Sequence, residues 1–424
     1  MSKNKRTALL PRLRFPEFEN TGEWKICALN KLAMRINTRN HDNLITRVLT
    51  NSAIDGVVDQ SDYFDREVAN PKNLENYFVI DKGDYVYNPR ISATAPVGPI
   101  SKNKIGKGVM SPLYTVFRFE NHNNEFYEQY FKTTLWHHYL KSVSNTGARH
   151  DRMSISSDSF MKMPLPYRSE EEQQKIADCL SSLDDLIAAE NKKLEALKAH
   201  KKGLMQKLFP AEGKTVPEWR FPGFADAWEQ RELGDHCDMF NGDRGIHYPN
   251  ADDIVTEGIP FINAGDLQDG KVNLDTAKKI NRAKYNQLGG AKIRLGDIVY
   301  CLRGTLGKNA FIDNFDEGTV ASSLVVIRPN GIDGRYLFQV LNSNIEYRQR
   351  TICDEGAAQP NLSARNLSGF KIPVPAKEEQ KHISMFLSGI DDLIAEQTQK
   401  IGSLKTHKKG LMQGLFPSIE EVDK

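Results

Sequence analysis

Residues 200–210 read HKKGLMQKLFP, and residues 407–417 read HKKGLMQGLFP. Ten of the eleven positions agree, at an offset of 207. Working upstream at the same offset, LDDLI at 183–187 meets IDDLI at 390–394. Further up, PLP at 164–166 meets PVP at 373–375, and each is followed by a Glu/Gln-rich start. The front of each half matches as well: LRFPEF at 13–18 against WRFPGF at 219–224, followed by Trp24 and Trp228. Between these anchors only a skeleton is shared. KGDYVYNPR (82–90) aligns with LGDIVYCLR (295–303), GVMSPLYTVFR (108–118) with GTVASSLVVIR (318–328), and GARHDRMS (147–154) with GAAQPNLS (356–363). One chain thus holds two copies of a module, each a divergent globular part followed by a nearly invariant tail.

The tails read as helices. Ile176, Leu180, Leu183, Ile187, Leu194, Leu197, Leu204 and Leu208 fall at heptad a/d steps. Ile383, Leu387, Ile390, Ile394, Ile401, Leu404, Leu411 and Leu415 repeat those steps. Ser169 with Glu172 fits a capping box, while the second helix starts after Pro375 at Lys377. Pro210 and Pro417 end the helices. At 1.5 Å per residue, some 40 residues span roughly 60 Å. An apolar seam that long requires a partner. Packing of the tails on each other as an antiparallel coiled coil, with a pseudo-two-fold axis, satisfies both at once. The alternative is that each helix folds back on its own domain. Gly203 and Gly410 allow either close backbone approach or fraying.

The segments are therefore 1–168 (first globular domain), 169–209 (first helix), 210–375 (second globular domain), 376–417 (second helix) and 418–424 (tail). The fold class is α+β, with two mixed α/β domains separated by two long helices. Short β-rich runs at 85–87, 114–117, 298–300 and 324–327 lie between Gly, Pro and Asn turns. Amphipathic helices are expected at 125–142 and 334–351.

Composition narrows the function. The 424 residues suit two to four domains, with 39% hydrophobic and 26% charged residues. Lys and Arg number 57 against 55 Asp and Glu, a net charge of +2, so any basic surface arises by local clustering. No stretch approaches the ~18 apolar residues of a membrane helix, and the basic N-terminus lacks the apolar run of a signal peptide. The five cysteines are scattered without ligand spacing, which fits free thiols in a reducing cytoplasm.

Loops on the shared skeleton carry the residue types that meet phosphates and base edges. The candidates are Arg90, Ser92, Thr94, Lys102, Lys104, Arg149, His150 and Arg152 in the first domain. In the second they are Arg303, Thr305, Lys308, Gln359, Asn361 and Arg365. The architecture points to DNA: two domains with one scaffold and different loops, set apart by rigid helices, suit two half-sites at a fixed gap. A coiled-coil adaptor with duplicated protein-binding domains would share the helices and the symmetry, but would not need two different loop sets.

The order of a variable domain, PLP/PVP, an LDDLI/IDDLI helix and HKKGLMQ-LFP, met twice, resembles the specificity subunits of bacterial type I restriction–modification enzymes over essentially the whole chain. The resemblance implies that 1–168 and 210–375 are target-recognition domains reading a bipartite DNA sequence, and that the helices are spacer regions. It implies two modification subunits that use S-adenosylmethionine to methylate adenines, and restriction subunits that use ATP and Mg2+. No cofactor, metal or catalytic residue is expected in this chain itself. The segments 147–154 and 356–363 match a family Gly-x-x-x-x-x-(Leu/Met)-Ser pattern near the DNA-facing loop, and half-site preference is expected where Arg149 and His150 face Ala358 and Gln359.

Motifs of a self-contained enzyme are missing. Asn88-Pro89-Arg90 falls short of the Asn/Asp-Pro-Pro-aromatic loop that holds a flipped adenine. Gly304-Thr-Leu-Gly307-Lys308-Asn309 has the wrong spacing for a phosphate-binding loop. There is no HExxH.

Overall fold

The computed structural model describes residues 9–63, 74–145, 151–353 and 361–419. The chain forms two compact units that cut across the sequence repeat. Unit 1 comprises Met1–Ala189 with Ile401–Lys424, and unit 2 comprises Glu190–Lys400. Each long helix, Glu170–Leu208 and Lys377–Leu415, gives its first part to one unit and its last part to the other. Both run for 39 residues, as the heptad spacing predicts.

Unit 1 is built on β1 (Lys25–Ala28), β2 (Ala33–Arg35), β3 (Tyr85–Tyr87), β4 (Ile100–Lys102), β5 (Thr115–Phe119) and β6 (Pro164–Tyr167). Its main sheet has the order β2-β5-β3-β4, antiparallel throughout. The period of two divides β3 between two cores. Tyr85 and Tyr87 join Phe117, Phe126 and Phe131 on one face, and Val86 joins Leu49, Ile80 and Met110 on the other. A sheet buried on both sides explains why Tyr85-Val86-Tyr87 is apolar without alternation.

Unit 2 repeats this plan with β7 (Glu229–Glu232), β8 (Cys237–Asn241), β9 (Ile298–Cys301), β10 (Asn309–Phe311), β11 (Leu324–Pro329) and β12 (Lys371–Val374). The order is β8-β11-β9-β10. Ile298 and Tyr300 face one core, and Val299 and Cys301 the other. The PLP and PVP stretches are the strands β6 and β12. They pair with β1 and β7 in two-stranded ribbons, whose edges tolerate proline.

Pairs of polar locks account for the remaining shared motifs. Glu172, almost wholly buried, accepts from Arg14 Nε and Nη2 at 2.7 Å each and from Trp24 Nε1 at 3.2 Å. Glu379 accepts from Arg220 at 2.8 and 2.7 Å and from Trp228 Nε1 at 3.0 Å. The LRFP/WRFP motif, the Trp and the acidic helix start are thus one device made twice. This corrects the capping-box reading of Ser169, because the Glu172 carboxylate is taken up by Arg14 and Trp24. Likewise Arg118 grips Asp84 with two bonds, and Arg328 grips Asp297.

The amphipathic stretches each split in two, Glu125–Phe131 with His137–Val143 and Gly334–Leu341 with Asn344–Cys353. At the breaks the Thr133 hydroxyl donates to the Tyr130 carbonyl and the Ser343 hydroxyl to that of Val340, both at 2.7 Å. Such local bonds compete with the helical ladder.

All the seam residues are buried or half-buried, but their partners differ along each helix. Ile176, Leu180, Leu415 and Phe416 belong to the aromatic core of unit 1. Met205, Leu208, Phe209, Ile383, Leu387 and Ile390 belong to the core of unit 2. Helix contacts lie between these ends. In unit 1 Lys408 Nζ meets Asp184 at 2.5 Å. In unit 2 Gln397 bonds Glu190, and Lys201 meets Asp391 at 2.5 Å. The five cysteines are free thiols. Among the described residues no helix is long and apolar enough to cross a membrane.

Candidate nucleic-acid interface

In each unit the strand directions collect loops on one edge of the main sheet. In unit 2 the register pairs Asn241 with Val325 and Cys301 with Leu324, and Tyr300 with Asn309. The segments 242–250, 302–308 and 321–323 therefore leave the sheet together. A fourth segment joins them: Arg303 forms an isolated bridge with Asn361, and Leu362 N donates to Leu302 O at 2.9 Å. Arg303 Nε also donates to Asn361 Oδ1 at 3.2 Å. Arg303 and Thr305 are exposed there, and Arg365 is exposed on the short helix Ala364–Ser368 that follows. Lys308 is half-buried and donates to the Ala264 carbonyl at 3.1 Å, which ties the hairpin to the short turn Ala264–Asp266.

Unit 1 uses the same edge. Tyr87 pairs with Ile100 and Thr115, so 88–99 and 111–114 emerge side by side. Arg90 bridges to Arg152 as Arg303 does to Asn361. Ile91 N donates to Asp151 O at 3.1 Å and Met153 N to Pro89 O at 2.9 Å. Ser92 and Thr94 stand exposed in a tight turn closed by the Ser92–Ala95 backbone bonds. Arg152 is half-buried and holds Asp151 at 3.2 Å.

The loops are rigidly founded. Asn88 is buried, donates to Asn51 O at 2.9 Å and accepts from Arg90 N at 3.0 Å. Its amide thus holds the loop's own backbone in place. Gly98, at a φ of +81°, passes so close to the Asn88 carbonyl that a Cβ would lie 2.0 Å from that oxygen. In unit 2 a Cβ on Gly242 would lie 2.2 Å from the Ala321 carbonyl oxygen.

Two candidates lie elsewhere. The β3–β4 hairpin pairs Lys102 with Tyr85, at the far end from the 88–99 loop. Lys102 meets Glu125 at 2.8 Å and Lys104 meets Glu128 at 2.6 Å, so both serve the neighbouring helix. Arg149, His150 and Gln359 lie outside the described residues. Sequence reasoning missed Arg244, which is exposed on the 242–250 loop and donates to Ser322 O at 3.2 Å on the same edge as Arg303. Its signal was the Gly242-Asp-Arg-Gly245 turn directly after a strand. Among the described residues no group of His, Cys, Asp or Glu is placed to hold a metal ion.

A duplicated scaffold presenting a polar, arginine-bearing loop rim on the same edge of each sheet defines a paired recognition module. The sequence pattern described as "Type I restriction modification DNA specificity domain" matches residues 49–199 and 225–406. The chain belongs to that family and carries its domain twice. It is 28% identical to the type I restriction enzyme MjaVIII specificity subunit of Methanocaldococcus jannaschii, over 73% of this chain and 74% of that protein. It is also 28% identical to the HindI specificity subunit of Haemophilus influenzae, over 46% of this chain and 42% of that one. The S subunit of a type I restriction–modification system from M. genitalium has the same fold, with a TM-score of 0.60 at 14% identity, covering 97% of this chain and all of that one.

Proposed function

We propose that this chain is the sequence reader of a type I restriction–modification complex, with each unit reading one half of a bipartite DNA target. One observation carries the proposal. The isolated bridges Arg90–Arg152 and Arg303–Asn361 assemble the same loop rim in both units, yet furnish it with different side chains. A common frame with divergent polar contacts suits two different half-sites, because base edges are told apart by which donors and acceptors meet them.

The long helices then act as a spacer. Glu190 meets Gln397 while Lys201 meets Asp391, so residue numbers rise along one helix as they fall along the other. This supports an antiparallel pair whose length sets the gap between half-sites. Modification subunits dock on the chain and bring S-adenosylmethionine, and restriction subunits bring ATP and Mg2+. The chain's own residues bind and orient DNA.

The test is duplex binding by the chain assembled with its modification subunits across a salt series. Phosphate contacts release counterions, so affinity falls linearly on logarithmic axes as salt rises. Absent or salt-insensitive binding refutes the proposal and favours a protein-binding adaptor.

A further inference from the structure

The 242–250 loop of unit 2 holds an apolar side chain out into solvent. Ile246 is 93% exposed, the most exposed large apolar residue among those described. The turn beneath it is braced on both sides. Asp243 turns its carboxylate inward, where it accepts from Gly289 N at 2.8 Å and from Gly290 N at 3.3 Å. Gly245 takes a φ of +96°, and Tyr248 N donates to Gly245 O at 3.1 Å. The Tyr248 ring packs edge-on against Phe261, with centroids 5.6 Å apart. Unit 1 has no such loop. There Ile36 N donates to Val116 O at 2.9 Å, and two residues on Thr38 O accepts from Val79 N at 2.8 Å, so the chain passes directly into its next pairing.

Isolated exposed aliphatic residues are common on protein surfaces. Ile246 is set apart by its place. It stands between Arg244 and His247, both exposed, on the edge that also carries exposed Arg303 and Thr305. Its branched Cβ restricts χ1 and the pinned turn restricts the backbone, so little freedom is lost on contact. A protein partner calls for an apolar patch, and one side chain set among polar neighbours does not supply it. Phosphates offer an isoleucine only charged oxygen. The base edges of the major groove present hydrogen-bond donors and acceptors and one apolar group, the C5-methyl of thymine.

We propose that Ile246 reads a thymine by packing on its C5-methyl in the major groove, and so fixes one A·T pair in the half-site of unit 2. Apolar contact there supplements the hydrogen bonds that Arg303 and its neighbours can make. This rests on unit 2 being a reader of DNA, as set out above. Because unit 1 lacks the loop, the contact belongs to one half-site alone.

The test is duplex binding by the full chain assembled with its modification subunits, on its methylation-mapped target with each thymine in turn replaced by deoxyuridine. That exchange removes the methyl and keeps the base pairing. In the half-site that Arg303→Ala relaxes, one deoxyuridine should weaken wild-type binding about fourfold, the factor for burying one methyl group. Ile246→Ala should weaken binding to the thymine duplex at least as much and lose the response to that deoxyuridine. Leu295→Ala, a control exposed at the opposite end of β9, should behave as the wild type does. If no deoxyuridine in that half-site weakens binding, or if Ile246→Ala still feels the exchange in full, the thymine contact is overturned while unit 2 remains a DNA reader. Loss of modification subunits from the Ile246→Ala assembly, seen by native mass measurement, also overturns it, in favour of a protein contact. A wild-type assembly without salt-dependent duplex binding overturns the reading of unit 2 as well.

Discussion

Replacing Glu379 with Gln should unfasten unit 2 and leave unit 1 intact. The Glu379 side chain is 2% exposed and its partner Arg220 is 12% exposed, so the pair is desolvated. The carboxylate takes two bonds from Arg220 and one from Trp228. Gln keeps the volume but removes the countercharge, leaving a buried guanidinium without an anion. Breaking a buried pair in this way costs about 3–5 kcal/mol. At about 2–4 °C per kcal/mol for units of this size, the unit 2 transition should fall by roughly 6–20 °C. E172Q should do the same to unit 1, where Arg14 and Trp24 hold the equivalent carboxylate. Replacing both ionic partners of unit 2, R220L/E379L, should recover most of the loss, less about 1–3 kcal/mol for the unpaired Trp228 N–H. Differential scanning calorimetry resolves the transitions, and the complementary displacement in E172Q assigns each to its unit. A loss below about 1 kcal/mol for E379Q would show that the pair is not desolvated, since only a solvated pair is worth so little. Equal displacement of both transitions would show that the lock does not act on unit 2 alone.

Other consequences are as direct. Burial pushes the Asp184 carboxyl up, but Lys408, Lys132 and Gln129 pull it down further, so it titrates below an ordinary aspartate. Its contribution is complete above the unfolded value of about 3.9 and disappears as pH falls through the folded one, so Asp184→Asn should flatten the acid limb of the unit 1 stability profile in melts below about pH 5. Gly242→Ala should displace the 242–250 loop from the 321–323 turn, weakening duplex binding by the assembled complex at the half-site read by unit 2. Unchanged affinity would show that Arg244 has no role on that rim. Inserting seven residues in one long helix should abolish function, whereas matched insertions in both should lengthen the DNA spacer, read from methylated sites. An unchanged spacer in the matched variant contradicts the role given to the helices.

Much of this architecture is written in local pattern. The duplication, the two 39-residue helices and the skeleton strands are set by spacing that a single sequence displays. The sequence does not display what the seam packs against. Leu415 and Phe416 close the core beneath Phe126 and Tyr130, and Met205 and Phe209 do so for the domain beginning near residue 210. A heptad seam and the rim of a globular core demand the same residues at the same steps, so periodicity cannot separate them. The Arg14–Glu172 lock joins residues 158 positions apart, beyond any local signal. On the rim, Arg90 and Arg303 were legible because Gly-Asp-strand-Arg recurs in both halves. Lys102 and Lys104 were drawn in by composition alone, and the hairpin register turns them to the opposite end, where Glu125 and Glu128 compete for them. Arg244 escaped because its loop has no counterpart motif in the first half.

Single-molecule methylation sequencing of cells carrying the chain with its modification subunits decides whether two independent readers share one chain. The wild type should show a bipartite methylated motif. In R303A/N361A the specificity of one half should relax by about 1–3 kcal/mol per lost base contact, and in R90A/R152A that of the other. A single contiguous motif, or either pair of substitutions changing both halves together, would contradict it.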